Sequence, residues 1–217
     1  MSAQRRLEVI STVDALVAAL RPRILEGELP GGARLREQDL SDDYGVARHT
    51  LRSALRELAA EGLVVIEPNR GARVASLGAD ELRGLADLRI ALEVESARLA
   101  LERDPHGGLP EVVHERAEQL ARVCRRKRPA WSAVVDAHDA LHTSIVEAAN
   151  SPRLAAAYRS LTAELRLVIV QLRPAWTLER MADDHLQLVR DLERTGAEVL
   201  RPHIRESTDA LVAQAGG

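Results

Sequence analysis

The segment REQDLSDDYGVARHTLRSALREL, residues 36–58, constrains the fold of this chain more than any other. Two helical patterns, about 35–44 and 47–61, meet at Gly45 and leave room only for a tight turn. Such a turn favours a residue that tolerates positive φ. Six residues would pack between the two helices, namely Leu40, Ser41, Val46, Leu51, Ala54 and Leu55. The spacing predicts a helix-turn-helix.

A β-hairpin is predicted directly after these two helices. LVVIEP, which follows Gly62, and ARVAS at 72–76 are short β-rich runs, and NRG at 69–71 is a turn between them. Upstream, residues 13–25 have helical spacing, although Pro22 should kink or split that helix. The order of three helices and a hairpin is that of a winged helix-turn-helix.

The exposed face of the second helix of the motif carries a basic stripe. Arg48, Arg52 and Arg56 recur every four residues and therefore share one face. Beside them lie His49, Thr50 and Ser53. Because the net charge is −3, contact with DNA must come from a local patch of this kind. Arginine can bind guanine bidentately, and the wing tip Asn69-Arg70-Gly71 suits a phosphate or minor-groove contact. A solvated basic face is the alternative, which the coincidence of stripe, turn and wing disfavours.

The same region resembles the DNA-binding domain of GntR-family bacterial transcription regulators over about residues 10–76. The patterns ELPGGxxLxExxL and GVxRxTLRxALxxLxxEGLV carry the resemblance. It implies double-stranded operator DNA as partner, read by the helix after the turn. The implied contacts are Arg36, Gln38, Arg48, His49, Thr50 and Arg52, with Gly71 in the wing. Gln38 and His49 depart from the basic and hydroxyl residues common at those positions, which bears on the operator sequence.

Glycine and proline are distributed differently before and after residues 76–80. Before this boundary they are clustered. After it the chain has about six helical stretches with short breaks, which include 78–102, 152–172, 177–193 and 203–214. Short loops between long helices predict an antiparallel bundle, with Asp80 as the N-cap of its first helix. The expected fold is all-α with a small β wing. Residues 1–78 would form the DNA-binding domain, and residues 79–217 the effector-binding and dimerisation domain.

Four histidines occupy core-flanking positions on three helices of the bundle: His138, His142, His185 and His203. Imidazoles on facing helices can hold a transition metal, and three or four of them with one open position would suit Zn²⁺ or Ni²⁺. Each could instead be an ordinary hydrogen-bonded histidine. A metal phosphohydrolase of the HD type, with Asp139 as a ligand, is the enzymatic alternative, but it does not explain the winged helix. No Ser-His-Asp motif, Walker loop or GxGxxG supports another enzyme class, and we predict that the chain is not an enzyme.

Residues 80–213 resemble the ligand-binding (FCD) domain of the FadR-type branch of the GntR family. The stretches LADLRIALEVESARLA and LHTSIVEAANSPRL and the two late histidines carry this resemblance. It implies a metal held by an Asp and three His, of which His142 is the first. His138 stands four residues earlier, where Asp is usual, and whether His138 or Asp139 is the ligand stays open. Fewer residues than usual separate His185 from His203.

The resemblance also implies an effector site. Arg89 in LRIALE matches an arginine near a pocket for the carboxylate of a small organic acid. A salt bridge between Arg89 and Glu93, one helical turn later, is the alternative role.

The remaining composition bears on the compartment. The single Cys124 excludes an intramolecular disulfide and fits a reducing cytosol, and no apolar run approaches the ~18 residues that cross a bilayer. We expect a cytoplasmic, homodimeric transcription regulator, with repression as the common mode of the family. A DNA-binding protein with a metal-free dimerisation bundle is the alternative.

Overall fold

The computed structural model of the 217-residue chain describes residues 11–68, 70–104, 108–173 and 176–215. Asn69, at the predicted wing tip, lies outside the described residues. The chain divides into two compact units between Ala75 and Ser76.

The N-terminal unit contains three helices and a small antiparallel sheet. The helices are α1 (Thr12–Leu25), α2 (Glu37–Tyr44) and α3 (Arg48–Ala60), and the strands are β1 (Arg34–Leu35), β2 (Val64–Glu67) and β3 (Gly71–Val74). The predicted hairpin is β2–β3, with Val64 opposite Val74. The two-residue β1 joins β3 on its other side. That third strand was not predicted, because two residues are too few to show a period.

The turn between α2 and α3 confirms the predicted helix-turn-helix. Gly45 adopts φ 62° and ψ 33°, and the Val46 amide donates to the Ser41 carbonyl at 3.0 Å, which is a Schellman arrangement. The expected core residues of the motif are buried except Val46, which is partly exposed. α3 packs on α1, so the opposite face of α3 is left to solvent.

Pro22 does not split α1, which was one of its two expected effects. The helix continues through it to Leu25. Proline removes one helical hydrogen bond, but Leu20 and Ile24, which flank Pro22, are each only 1% exposed. Burial of this stripe on both sides of the proline maintains the helix.

The C-terminal unit is an all-helical bundle. Its helices are α4 (Ala79–Arg103), α5 (Glu111–Cys124), α6 (Trp131–Glu147), α7 (Pro152–Arg159), α8 (Thr162–Leu172), α9 (Leu178–Thr195) and α10 (Leu200–Ala215), with a 3-10 turn at Ala197–Val199 before α10. α5 packs on α6 and α9, and α4 packs on α6 and α10. The predicted fold class is confirmed.

Three details of the bundle differ from the sequence prediction. The stretch 152–172, expected as one helix, breaks after α7, where the Ser160 hydroxyl donates back to the Ala157 carbonyl at 2.7 Å; such side-chain bonds compete with the helix. Gly78, not Asp80, is the N-cap of α4, and its amide donates to the Glu81 carboxylate at 2.8 Å.

The last helix also begins earlier than expected. α10 starts at Leu200, which places Pro202 in its first turn. Proline is tolerated there because the first amides of a helix have no helical acceptor. His203 therefore lies near the start of α10, a helix that contacts α9. Over the whole described part of the chain, no helix is both long and apolar enough to cross a membrane.

Candidate functional site

Three of the predicted histidines form a compact, buried cluster. His138 and His142 lie one turn apart on α6, with ring centroids 4.5 Å apart. His185 comes from α9, and its ring centroid lies 4.8 Å from that of His138 and 5.4 Å from that of His142. One ring nitrogen from each of the three lies within 4.8 Å of the others. The spacing of these residues, on two facing helices, therefore suits one shared ion.

His203 joins the cluster from α10. Its ring centroid is 4.7 Å from that of His185 and 5.6 Å from that of His142. Its side chain is partly exposed, whereas the other three rings are buried. The structure thus brings all four predicted histidines together from three helices, with His203 at the edge.

The hydrogen bonds of two histidines fix which nitrogen is available. Nδ1 of His142 lies 2.8 Å from Oε2 of Glu93, and Nδ1 of His185 lies 2.7 Å from the Met181 carbonyl. Because a carboxylate and a carbonyl only accept, each Nδ1 carries the proton. The Nε2 atoms of His142 and His185 are buried and have no hydrogen-bond partner among the described residues.

These bare Nε2 atoms fit a metal ion. A ligating histidine typically donates its other N–H to a carboxylate or carbonyl, as both residues do here. An unpartnered buried polar atom costs about 1–3 kcal/mol, which a bound cation would offset. A set of neutral nitrogen donors suits Zn²⁺ or Ni²⁺ better than Mg²⁺ or Ca²⁺.

Burial keeps the imidazoles neutral. It lowers the pKa of His138, His142 and His203 well below the usual value, and the neighbouring rings and Arg89 lower the pKa further. Burial likewise lowers the pKa of His185 to about 4. Neutral imidazole is the form that binds metals.

Arg89 on α4 lies beside the cluster and is only 4% exposed. Its Nε donates to Oε1 of Glu93 at 2.5 Å, so the expected salt bridge is present. Burial opposes the charge of Arg89, but the Glu93 carboxylate outweighs it and the pKa of Arg89 is raised. Nη2 of Arg89 is buried and has no partner in the described structure. The salt bridge therefore leaves a cationic donor available for an anion.

Two further residues belong to this site, Glu93 and Tyr158, although the sequence predicted Glu93 only as a partner of Arg89. Glu93 contacts His142 as well as Arg89, and the Tyr158 hydroxyl on α7 donates to Oε1 of Glu93 at 2.8 Å. The available signal for Glu93 was a charged pair at i and i+4 that falls on the buried stripe of α4. Spacing alone carries no signal for Tyr158, whose contact depends on how α7 packs.

Asp139 does not join the histidines. One of its oxygens lies 3.9 Å from Nη1 of Arg166, and Arg166 also donates to Asp136 at 2.6 Å. The position four residues before His142 is thus filled by His138, whose ring is in the cluster.

The predicted DNA-reading surface is the solvent face of α3. Arg48, Arg52 and Arg56 are exposed there, as the stripe predicts. Arg48 donates to the Gln38 side chain on α2, and Nε of Arg52 donates to Glu37 at 2.7 Å. Partners on α2 thus hold the first two guanidinium groups in place on the open face.

The other predicted DNA contacts lie around this surface. Arg36 is exposed at the N-terminus of α2, and its Nη1 lies 3.9 Å from Asp39. His49 is exposed and Thr50 partly exposed at the start of α3. In the wing, Arg70 is exposed and lies 3.8 Å from Glu67, and Gly71 has φ +83°.

A concave surface joins α3 to the wing. Its volume is about 330 Å³, and its lining includes Arg52, Arg56, Ile66 and Gly71. Ile66 and its neighbour Val65 are exposed apolar residues of β2, at 46% and 43%. The sequence prediction did not include either residue in the DNA-reading surface.

Two family models match the chain. The model described as "Bacterial regulatory proteins, gntR family" matches residues 12–74, and the FCD domain model matches residues 84–209. The first covers the helix-turn-helix and wing, and the second covers the bundle with its histidine cluster.

Relatives match over nearly the whole chain. "Uncharacterized HTH-type transcriptional regulator BphR" of Paraburkholderia xenovorans (strain LB400) is 33% identical, over 96% of this chain and 88% of its own. "Probable D-xylose utilization operon transcriptional repressor" of Paenarthrobacter nicotinovorans is 28% identical, over 89% and 86%. The crystal structure of a GntR transcriptional regulator from Rhodococcus sp. RHA1 has the same fold, with a TM-score of 0.69 and 24% identity over 93% of this chain and 97% of that one.

Proposed function

The chain belongs to the GntR family of bacterial regulatory proteins and carries an FCD domain, and we therefore propose that it is a homodimeric, cytoplasmic repressor regulated by a small carboxylate effector. Residues 1–78 bind operator DNA, and residues 79–217 dimerise and hold the effector at a metal-containing site. Proteins of this family regulate transcription and are not enzymes. That confirms the prediction of a non-enzyme and removes the phosphohydrolase alternative.

The DNA half of the proposal is supported by the exposed face of α3. Arg48 and Arg52 stand near the N-terminus of a helix that would enter the major groove, and bonds to α2 orient them. A dimer would present two such helices to two half-sites of a palindromic operator. Repression is proposed because the family contains named repressors, such as the D-xylose operon relative.

One observation supports the effector half above all others: two bare Nε2 atoms and one free arginine donor are buried at the same site. His138, His142 and His185 would hold the metal, with His203 at the edge. The bound metal would supply a Lewis-acidic position for an anionic ligand. Nη2 of Arg89 would donate to the carboxylate of that ligand.

Metal removal tests this proposal. Protein purified without chelator should contain Zn²⁺ or Ni²⁺, and a chelator should lower its melting temperature, which added metal should restore. His142→Ala should lose the metal, whereas His114→Ala, a change at a half-exposed histidine paired with Glu193, should retain it. Metal content by mass spectrometry and thermal unfolding give the readout.

A parent protein that contains no metal and shows no thermal shift with Zn²⁺ or Ni²⁺ would contradict the metal site. The bundle would then be a metal-free dimerisation module behind the same DNA-binding unit.

A further inference from the structure

We propose that Glu93 is a positioning residue shared by the metal and the effector, so that each strengthens the binding of the other. This inference rests on the proposed function. The structural basis is one buried carboxylate that contacts a metal ligand through one oxygen and the anion-binding arginine through the other.

Glu93 has no solvent exposure, and its charge is compensated entirely by protein groups. Oε2 faces Nδ1 of His142 on α6 at 2.8 Å. Oε1 accepts from Nε of Arg89 on α4 at 2.5 Å and from the hydroxyl of Tyr158 on α7 at 2.8 Å. Three helices therefore meet at a single side chain. If one of the three donors moves, Glu93 moves with it, and its hydrogen bonds to the other two donors change.

The contact with His142 determines whether the ring can bind a metal. While Glu93 is a carboxylate, it accepts the Nδ1 proton and leaves Nε2 bare. The contact with Arg89 determines where the free Nη2 points, because Nε is fixed by Oε1. One acceptor thus orders a ligand of the metal and a donor to the anion.

The arrangement implies coupling between two ligands. Metal bound at Nε2 of His142 would make Nδ1–H a stronger donor to Oε2 of Glu93, so the carboxylate would neutralise Arg89 less and leave Nη2 to pair more strongly with an anion. By linkage, if the anion raises the affinity for the metal by some factor, the metal raises the affinity for the anion by the same factor.

Glu93→Gln tests the idea because an amide has one acceptor in place of two. If the amide oxygen faces Arg89 and Tyr158, its NH₂ faces His142 and favours the tautomer with Nε2 protonated, which cannot bind metal. If the oxygen faces His142, Arg89 loses its acceptor. Either orientation removes the contact of residue 93 with His142 or with Arg89, while the side-chain volume stays nearly unchanged.

The experiment measures Zn²⁺ affinity of chelator-stripped full-length protein by competition with a chromogenic chelator, with and without acetate as the anion. In the parent, acetate should tighten Zn²⁺ binding. Glu93→Gln should weaken Zn²⁺ binding by about 10–100-fold if its NH₂ faces His142, or lose the acetate effect if its NH₂ faces Arg89. Arg89→Gln should abolish the acetate effect. Ser144→Ala, a buried polar change on α6, should behave as the parent.

The outcomes separate this inference from the proposed function. A Glu93→Gln protein that binds Zn²⁺ and responds to acetate as the parent does would overturn the role of Glu93 and leave the metal site standing. A parent that binds no Zn²⁺ would overturn the metal site itself, and the coupling with it.

A second measurement needs no variant, in case Glu93→Gln does not fold. Nitrogen-15 NMR of the metal-free parent should show His142 with its proton on Nδ1 and an unprotonated Nε2. Observation of the opposite tautomer would overturn the proposal.

Discussion

At the residue scale, the function of the site depends on which buried groups lack partners. Nε2 of His142, Nε2 of His185 and Nη2 of Arg89 are all buried without a hydrogen bond among the described residues. In a folded protein most buried polar atoms are satisfied. Three of the eight such atoms in the described residues lie at this one place, which supports the proposed metal and anion.

The neutral histidines predict how the metal-free protein responds to acid. His185 has a folded pKa of about 4 against about 6.5 when unfolded. The unfolded chain therefore binds the proton first, and stability is lost as pH falls from about 6.5 toward 4. The slope is about 1.4 kcal/mol per pH unit, or about 3 kcal/mol over this window for His185 alone.

Urea unfolding of chelator-treated protein at several pH values checks this. His185→Gln should make the free energy of unfolding depend less steeply on pH, whereas His49→Gln, on the exposed face of α3, should not. A free energy of unfolding that is constant from pH 6.5 to 4.5 would contradict buried neutral rings.

The sequence indicated the residues of this site better than their contacts. The four histidines and Arg89 followed from helical spacing and from the resemblance to a family. The contacts of Glu93 with His142 and Tyr158 did not, because they depend on how α6 and α7 pack on α4. Periodicity shows which face of a helix is buried, but not which side chain of another helix lies opposite.

At the element scale, Gly45 is the residue on which the helix-turn-helix depends. An added Cβ would meet nothing within 4 Å, but the φ of +62° strains any L-residue. Gly45→Ala should therefore lower the free energy of unfolding by about 1 kcal/mol. Gly84→Ala, in open space within the α4 helix, should instead raise it by about 0.5–1 kcal/mol.

Urea unfolding of the two variants gives the comparison. Opposite signs are expected because the same added methyl group meets a left-handed backbone in one case and a helical one in the other. Equal changes in the free energy of unfolding would show that backbone conformation does not control the destabilisation caused by Gly45→Ala.

The arginine stripe of α3 predicts two kinds of DNA contact. Arg48→Ala and Arg52→Ala should each weaken the free energy of binding to a selected operator by about 1–3 kcal/mol and reduce base discrimination. Arg56 lies further from the N-terminus of the helix, so Arg56→Ala should weaken all sequences alike and reduce the salt slope by about one. Fluorescence anisotropy over a salt series measures both effects. Arg48 and Arg52 variants that bind as tightly as the parent would refute the assignment of the reading helix.

Element prediction failed where local chemistry was weak or competing. β1 has only two residues, and its pairing with β3 depends on a contact distant in sequence. The break between α7 and α8 follows from a serine that bonds its own helix. Long periodic helices such as α4 and α9, by contrast, were predicted from their apolar spacing.

At the scale of the whole molecule, the chain combines a DNA-reading unit with a sensing unit. The units divide beside residue 76, next to the change in glycine and proline content. Regulation requires that the effector bind two states of the protein with different affinities. The proposed coupling of metal and anion through Glu93 supplies such a difference within the sensing unit.

Anomalous X-ray diffraction would show whether the histidine cluster binds a metal. Crystals of protein never exposed to chelator, measured at the zinc and nickel absorption edges, should show one strong peak per chain. It should lie about 2.0–2.1 Å from ring nitrogens of His138, His142 and His185. A map with no anomalous peak there would contradict the metal site, above all if ordered water satisfied the same Nε2 atoms.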